Sequence, residues 1–156
     1  MVGRQLGVEM NVPGAGAAGG LAAGALAFLG AQLKPGVETL MDLTGLGDKL
    51  KDADWLITGE GSLDQQSLRG KVISGLLERC RSRKIRVGVI AGQVHLGPGL
   101  LQAAGIEWAL PLLRGGMNLN YAMSHVEELI RIRAGEAAEM LAHPGGPRAF
   151  GLDGNQ

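Results

Sequence analysis

The sequence predicts an α/β protein built on a parallel sheet. Three apolar runs, residues 53–58, 86–91 and 106–113, read as strands, and stretches of helical spacing separate them. Strands alternating with helices form crossover units, which lay helices on both faces of a parallel sheet. The expected architecture is therefore three-layered. The chain is long enough, at 156 residues and 46% hydrophobic, for one domain with a real core.

The elements follow in order. Residues 1–12 form an unpatterned lead-in, and the patterned domain spans 13–142. Pro13-Gly14-Ala15-Gly16-Ala17-Ala18-Gly19-Gly20 is a glycine-rich loop opening a small-residue helix over 21–33. Lys34-Pro35-Gly36 closes that helix, because proline cannot continue it. Residues 37–43 and 46–51 read as short helices, although 37–43 could also be a strand. The strand at 53–58 ends at Thr58, and a helix over 67–83 follows. Ile73, Leu76, Leu77 and Cys80 stand at i, i+3, i+4 and i+7 and make its apolar stripe. A short helix over 98–104 joins the second strand to the third. Asn118 is the expected N-cap of one long helix, 119–141, with Ala122, Val126, Leu129, Ile130, Ala137, Met140 and Leu141 on one stripe. The Gly- and Pro-rich residues 143–156 are expected to be a disordered tail.

Composition removes several classes of function. Fifteen basic residues balance fifteen acidic ones, so no overall field favours nucleic acid or an anionic membrane. Two Phe, two Trp and one Tyr are too few for a base-stacking platform. Cys80 is the only cysteine, which forbids an intrachain disulfide and fits a cytoplasmic setting. Its helical spacing marks it as a core thiol, not a nucleophile. Residues 12–31 carry no charge and match a membrane span in length. Yet six of them are Gly, eight Ala and one Pro, so the segment gains little from lipid and no membrane partner is expected.

The chemistry-bearing residues gather at predicted strand ends. Parallel strands joined by right-handed crossovers end on one edge, where open α/β sheets bind ligands. Gly59-Glu60-Gly61, Gly92-Gln93-Val94 and Arg114-Gly115-Gly116 should share that rim. The loop from Thr58 to Lys71 is the richest, with Glu60, Asp64, Arg69, Lys71 and three glycines. Glu60 and Asp64 could hold Mg2+ or accept a hydroxyl proton; equally, Asp64 could cap the following helix. Lys71, after Gly70, could meet a phosphate or carboxylate as a point charge, or simply be a solvated lysine. The loop at Gly14, Gly16, Gly19 and Gly20 could cradle an anion at a helix N-terminus or serve close helix packing. It lacks the preceding strand of a dinucleotide fingerprint and the Gly-Lys-Ser/Thr ending of a P-loop. His95 stands at a strand end, and His125 and His143 read as structural or solvated. No set of residues has zinc spacing.

Two segments carry a resemblance. Residues 13–21 with Phe28-Leu29-Gly30-Ala31 are similar to the glycine-rich segment of bacterial type 1 glycerate kinases. Ala53-Asp54-Trp55-Leu56-Ile57-Thr58-Gly59-Glu60-Gly61-Ser62-Leu63-Asp64, with Gln66-Ser67 and Gly70-Lys71, resembles that family's most distinctive motif. Ala91-Gly92 and Leu110-Pro111-Leu112 continue the match, which runs from about Pro13 to Leu141. Ser62 replaces a residue that is usually Arg, and Ile73 one that is often Pro. The resemblance implies a three-layer sheet of Rossmann/flavodoxin-like type, incomplete relative to a two-domain fold about twice as long. It also implies a missing amino-terminal half, whose Asp-Ser-Phe-Lys-Gly and Asp-Gly-Gly-Glu-Gly segments do not occur here. The implied activity is transfer of the ATP γ-phosphoryl group to a hydroxyl of D-glycerate, with Mg2+ at Glu60 and Asp64. Lys71 is then a catalytic cation, and Gly14, Gly16, Gly19, Gly20, Thr58, Gly59, Gly61 and Gly70 bind substrate or phosphate. The alternative is a non-catalytic or split-enzyme fragment that needs its amino-terminal half.

Overall fold

A computed structural model of the chain describes residues 7–69 and 72–142. Gly70, Lys71, the expected tail at 143–156 and the first half of the lead-in lie outside the described residues. The chain divides into two compact units, residues 1–44 and 45–156.

The first unit holds helices α1 (Ala17–Leu29) and α2 (Gly36–Leu43). Ala18, Gly19 and Gly20 have positive φ (51°, 66° and 93°), so regular helix begins at Leu21, as the sequence predicts. The helix ends earlier than expected, at left-handed Gly30 (φ 61°), whose N–H bonds to the carbonyl of Ala25. Residues 37–43 are helical, which settles the open choice there. None of the helices among the described residues is long and apolar enough to cross a membrane.

The second unit runs α3 (Leu46–Lys49), β1 (Trp55–Leu63), α4 (Val72–Arg81), β2 (Arg86–Val94), α5 (Pro98–Ala104), β3 (Ile106–Pro111), α6 (Leu119–Ser124) and α7 (Val126–Ala142). The strands form one open sheet in the order β1-β2-β3, and both pairings are parallel. Strand periodicity divides the side chains between two faces. Leu56, Val87, Val89, Ala91 and Ala109 pack with Ile73, Leu77 and Cys80 of α4 and Leu101 of α5. On the opposite face Trp108 and Leu110 meet Ala137 and Met140 of α7, together with Trp55 and Ile90. The three-layer α/β expectation is correct. Leu63, Ile73 and Val89 are almost fully buried, each contributing about 1.5–3 kcal/mol by area removed from water. Gly88 sits beneath the Trp108 indole, where any Cβ would collide with the ring.

Several element boundaries differ from the sequence reading, β3 among them, which ends at Pro111 and not at Leu113. First, β1 continues past Thr58 to Leu63, and β2 past Ala91 to Val94. The two strands stay in register through Ser62↔Gln93 and Leu63↔Val94, so the ladder itself prolongs both. Second, the helix expected from Ser67 begins at Val72, and Asp64 holds Gln66 and Ser67 in a turn before it. Third, the long C-terminal helix is broken at His125 (φ −117°, ψ 23°) into α6 and α7. There the Ser124 hydroxyl lies 3.0 Å from the carbonyls of both Asn120 and Tyr121, competing with backbone N–H groups for them. Asn118 caps α6 as predicted, accepting a 2.8 Å hydrogen bond from the Asn120 N–H. The stripe on α7 is narrower than expected. Val126 and Ile130 are exposed, while Arg133, which stands between Leu129 and Ala137, is buried.

Candidate active-site rim

All three parallel strands end on one edge, at Leu63, Val94 and Pro111. Backbone hydrogen bonds extend this edge beyond the strands. His95 N–H donates to the Leu63 carbonyl (2.8 Å), and Leu112 and Leu113 N–H donate to Ala91 (2.7 Å) and Gly92 (3.0 Å). The segments at Gly59–Gly61, Gly92–Val94 and Arg114–Gly116 therefore do border a common rim. The first two of them are inside β1 and β2, however, and not in loops after them.

That correction changes what each residue can do. Thr58 and Glu60 alternate with Leu56 and pair in register with Val89 and Ala91, so they face the α4 side of the sheet. Glu60 is partly buried, and its Oε2 is enclosed with no hydrogen-bond partner among the described residues. A carboxylate oxygen enclosed without a partner costs free energy that a hydroxyl, an N–H or a cation would relieve. Gly59 and Gly61 point to the opposite, more open side. A Cβ at Gly61 would meet nothing within 4 Å, and one at Gly59 would approach the Ile90 carbonyl at 3.3 Å. The tight contact lies next door, where a Cβ on Gly92 would collide with the Gly61 carbonyl oxygen. Gly92 thus lets β1 and β2 close together beside Glu60.

Asp64 stands after the strand and organises the turn. Its Oδ1 accepts from the Gln66 N–H (2.7 Å) and the Ser67 N–H (3.1 Å). Ser67, 1% exposed, donates its hydroxyl to the Ser62 carbonyl (3.0 Å) and accepts from the Asp64 N–H (3.3 Å). The geometry gives Asp64 the structural role that the sequence left open, and one of its oxygens is committed to it. Ser67 was not among the expected site residues, though its spacing (Asp-x-x-Ser) is a turn signal. His95 is exposed, with its Nε2 3.3 Å from Gln93 Oε1.

Glu60 and Asp64 differ in fitness as metal ligands. The open Oε2 of Glu60 suits a hard cation, whereas Oδ1 of Asp64 already serves two N–H groups. The described residues contain no group of three or more His, Cys, Asp or Glu side chains able to hold a metal ion. Cys80 is fully buried in the core, and burial raises its thiol pKa more than nearby Arg83 lowers it.

In the first unit, the loop expected to bind anions is coiled by short-range bonds. Ala15 N–H donates to Val12 and Ala17 N–H to Gly14, at 3.1 and 3.0 Å. A Cβ on Gly16, Gly19 or Gly20 would meet no heavy atom within 4 Å, and one on Gly14 only Leu33 at 3.7 Å. Close packing within the unit is therefore not what requires these glycines. Positive φ accounts for Gly19 and Gly20.

Comparison with known proteins places the chain among relatives of one family. The glycerate kinase family matches residues 1–142. The chain is 40% identical over 131 residues to a glycerate kinase of Halalkalibacterium halodurans, covering 83% of this chain and 34% of that protein. It is 40% identical over 103 residues to the glycerate 2-kinase of Escherichia coli, covering 66% of this chain and 27% of that protein. A crystal structure described as glycerate kinase 2 from Salmonella typhimurium LT2 superposes with a TM-score of 0.67 at 34% identity, covering 90% of this chain and 36% of that one. The chain thus spans between about a quarter and a third of the length of these two curated relatives, and 36% of the solved structure.

Proposed function

Because the chain belongs to the glycerate kinase family, we propose that it supplies part of the active site of an ATP-dependent kinase acting on D-glycerate. One observation carries this reading. Glu60, in the Thr58-Gly59-Glu60-Gly61 run, presents an enclosed and unpartnered carboxylate oxygen beside the end of a parallel sheet. In phosphoryl transfer the enzyme mostly positions groups and offsets charge. As the new O–P bond forms, the glycerate hydroxyl must release its proton, and the bond to ADP breaks. Glu60 is suited to orient that hydroxyl and accept the proton.

The turn held by Asp64 and Ser67 fixes the residues that directly follow β1. Lys71 then acts as the cation for a phosphate or the glycerate carboxylate, with Gly70 beside it. Within the second unit, backbone N–H groups at Gly59 and Gly61 are donors for anionic oxygens. Within the first, the loop with Gly14, Gly16, Gly19 and Gly20 is a separate candidate, in which the Gly20 N–H already donates to the Gly16 carbonyl. Bound Mg2+ would offset triphosphate charge, with Glu60 and Asp64 as the carboxylates able to meet it. The lone buried Cys80 suits a cytoplasmic protein.

A second reading is favoured by the partial coverage of the relatives. The chain would then be a fragment that turns over only with a separately supplied amino-terminal portion. ADP formation dependent on ATP and D-glycerate is measured for the chain alone and with the amino-terminal portion of a relative. Activity only on mixing selects the second reading. In whichever preparation turns over, Glu60→Gln is expected to lower kcat by about tenfold or more. Unchanged turnover in that variant would remove Glu60 from the chemistry.

A further inference from the structure

Beyond β3 lies a charge cluster that the motifs do not announce. Arg133 on α7 is 3% exposed. Its Nε donates to the Pro111 carbonyl at 2.7 Å, and its Nη1 to Glu136 Oε1 at 2.6 Å. The other oxygen of Glu136 accepts from Arg114 Nη2 at 2.9 Å. One carboxylate thus bridges two guanidinium groups, and the cluster carries a net charge of +1. The charges acting on Arg133 are those of Glu136, which favours its ionised form, and Arg114, which opposes it, while burial opposes it most.

The cluster sits on the rim already described. Arg114 follows Leu113, whose N–H bonds to the Gly92 carbonyl, and Gly92 abuts Gly61, the neighbour of Glu60. Strand spacing sets this end of the rim about 10 Å across the sheet from β1. The backbone at Arg114 is fixed by a turn, its carbonyl accepting from the Met117 N–H at 2.9 Å. The Arg114 side chain is half-exposed (52%), so it keeps N–H donors for a second partner.

We propose that Arg114, held at the rim by Glu136 and the buried Arg133, is a contact for a substrate oxyanion, a phosphate or a carboxylate. An arriving oxyanion neutralises the excess charge, and a guanidinium matches its paired oxygens. Buried Arg133 gives the site rigidity, because its bond to Pro111 ties α7 to the end of β3. This deepens the kinase reading and rests on it for the molecule to which the oxyanion belongs.

The test is binding to the 156-residue chain, read by thermal shift and calorimetry. Inorganic phosphate is titrated against chloride at matched ionic strength, with ADP and D-glycerate as separate arms. Phosphate should stabilise the wild type beyond chloride, and Arg114→Gln should weaken its binding about tenfold or more. Glu136→Gln keeps an acceptor oxygen to hold Arg114 but removes the opposing charge, and should tighten phosphate binding with a steeper salt dependence. A merely structural ion pair would not produce that gain. Arg131→Gln, in an exposed pair with Glu127 on the same helix, should bind as the wild type. Whichever of ADP or D-glycerate loses affinity in Arg114→Gln identifies the source of the oxyanion. No phosphate effect beyond chloride, or wild-type affinity in Arg114→Gln, overturns the proposal. Neither outcome depends on turnover, so the site and the kinase reading can fail separately.

Discussion

Gly92→Ala is the sharpest perturbation that the fold offers. The added Cβ would collide with the carbonyl oxygen of Gly61, a backbone atom of the neighbouring strand. A flexible side chain could swing away, but here either β1 or β2 must move. The ladder on both sides resists, through Glu60↔Ala91 before the contact and Ser62↔Gln93 and Leu63↔Val94 after it. Leu63 is fully buried, so shifting β1 also disturbs the core. Overpacking of this kind costs about 1–3 kcal/mol, which corresponds to a fall in Tm of roughly 3–10 °C. Gly61→Ala is the matched control, because its Cβ would enter open space and its φ is not left-handed. That variant should stay within about 0.5 kcal/mol of the wild type. Urea unfolding followed by Trp fluorescence suits the comparison, since Trp55 and Trp108 lie in the same sheet with ring centroids 6.0 Å apart. Equal stability of the two variants would refute the account of how β1 and β2 close beside Glu60.

Three further outcomes are expected. Ser67→Ala removes the buried hydroxyl between Ser62 and Asp64 and should cost about 1–3 kcal/mol, with faster amide exchange over residues 62–69 as its local signature. Glu60→Gln should keep or raise Tm while losing turnover, because the enclosed oxygen is a cost in the unliganded fold; a clear loss of stability would mean that Glu60 is structural. Cys80 should resist thiol reagents in native buffer and react once in denaturant. Its folded pKa is raised by burial above the ordinary 9.0. Below that ordinary value both states keep the proton. Above it the unfolded chain ionises first, so stability should fall as pH rises, and Cys80→Ala should flatten that fall.

The class of fold was legible because strand and helix periods are local properties. Ile73, Leu76, Leu77 and Cys80 needed only spacing to be read as one helix face, and Val87, Val89 and Ile90 as a buried strand. The residues 98–104 read as a helix for the same reason, with Pro98 at its start and left-handed Gly105 at its end. The active-site candidate was legible in type but not in setting. Glu60 was visible as an acid among glycines. That it stands inside β1 depends on how far β2 runs alongside it. Asp64 could be read as ligand or cap from the sequence, and only the structure shows the Gln66 and Ser67 N–H groups sharing one of its oxygens.

By itself, then, the sequence determined the parallel α/β plan, the family and the segments that carry acids and glycines to the sheet edge. Each of these follows from residue type and spacing along the chain. The tertiary structure alone decided that Gly92 is the close contact and that Arg133 is buried in the stripe of α7. It also decided that Glu136 ties Arg133 to Arg114 at the rim. These depend on atoms brought together from distant parts of the chain, and no local period encodes such meetings.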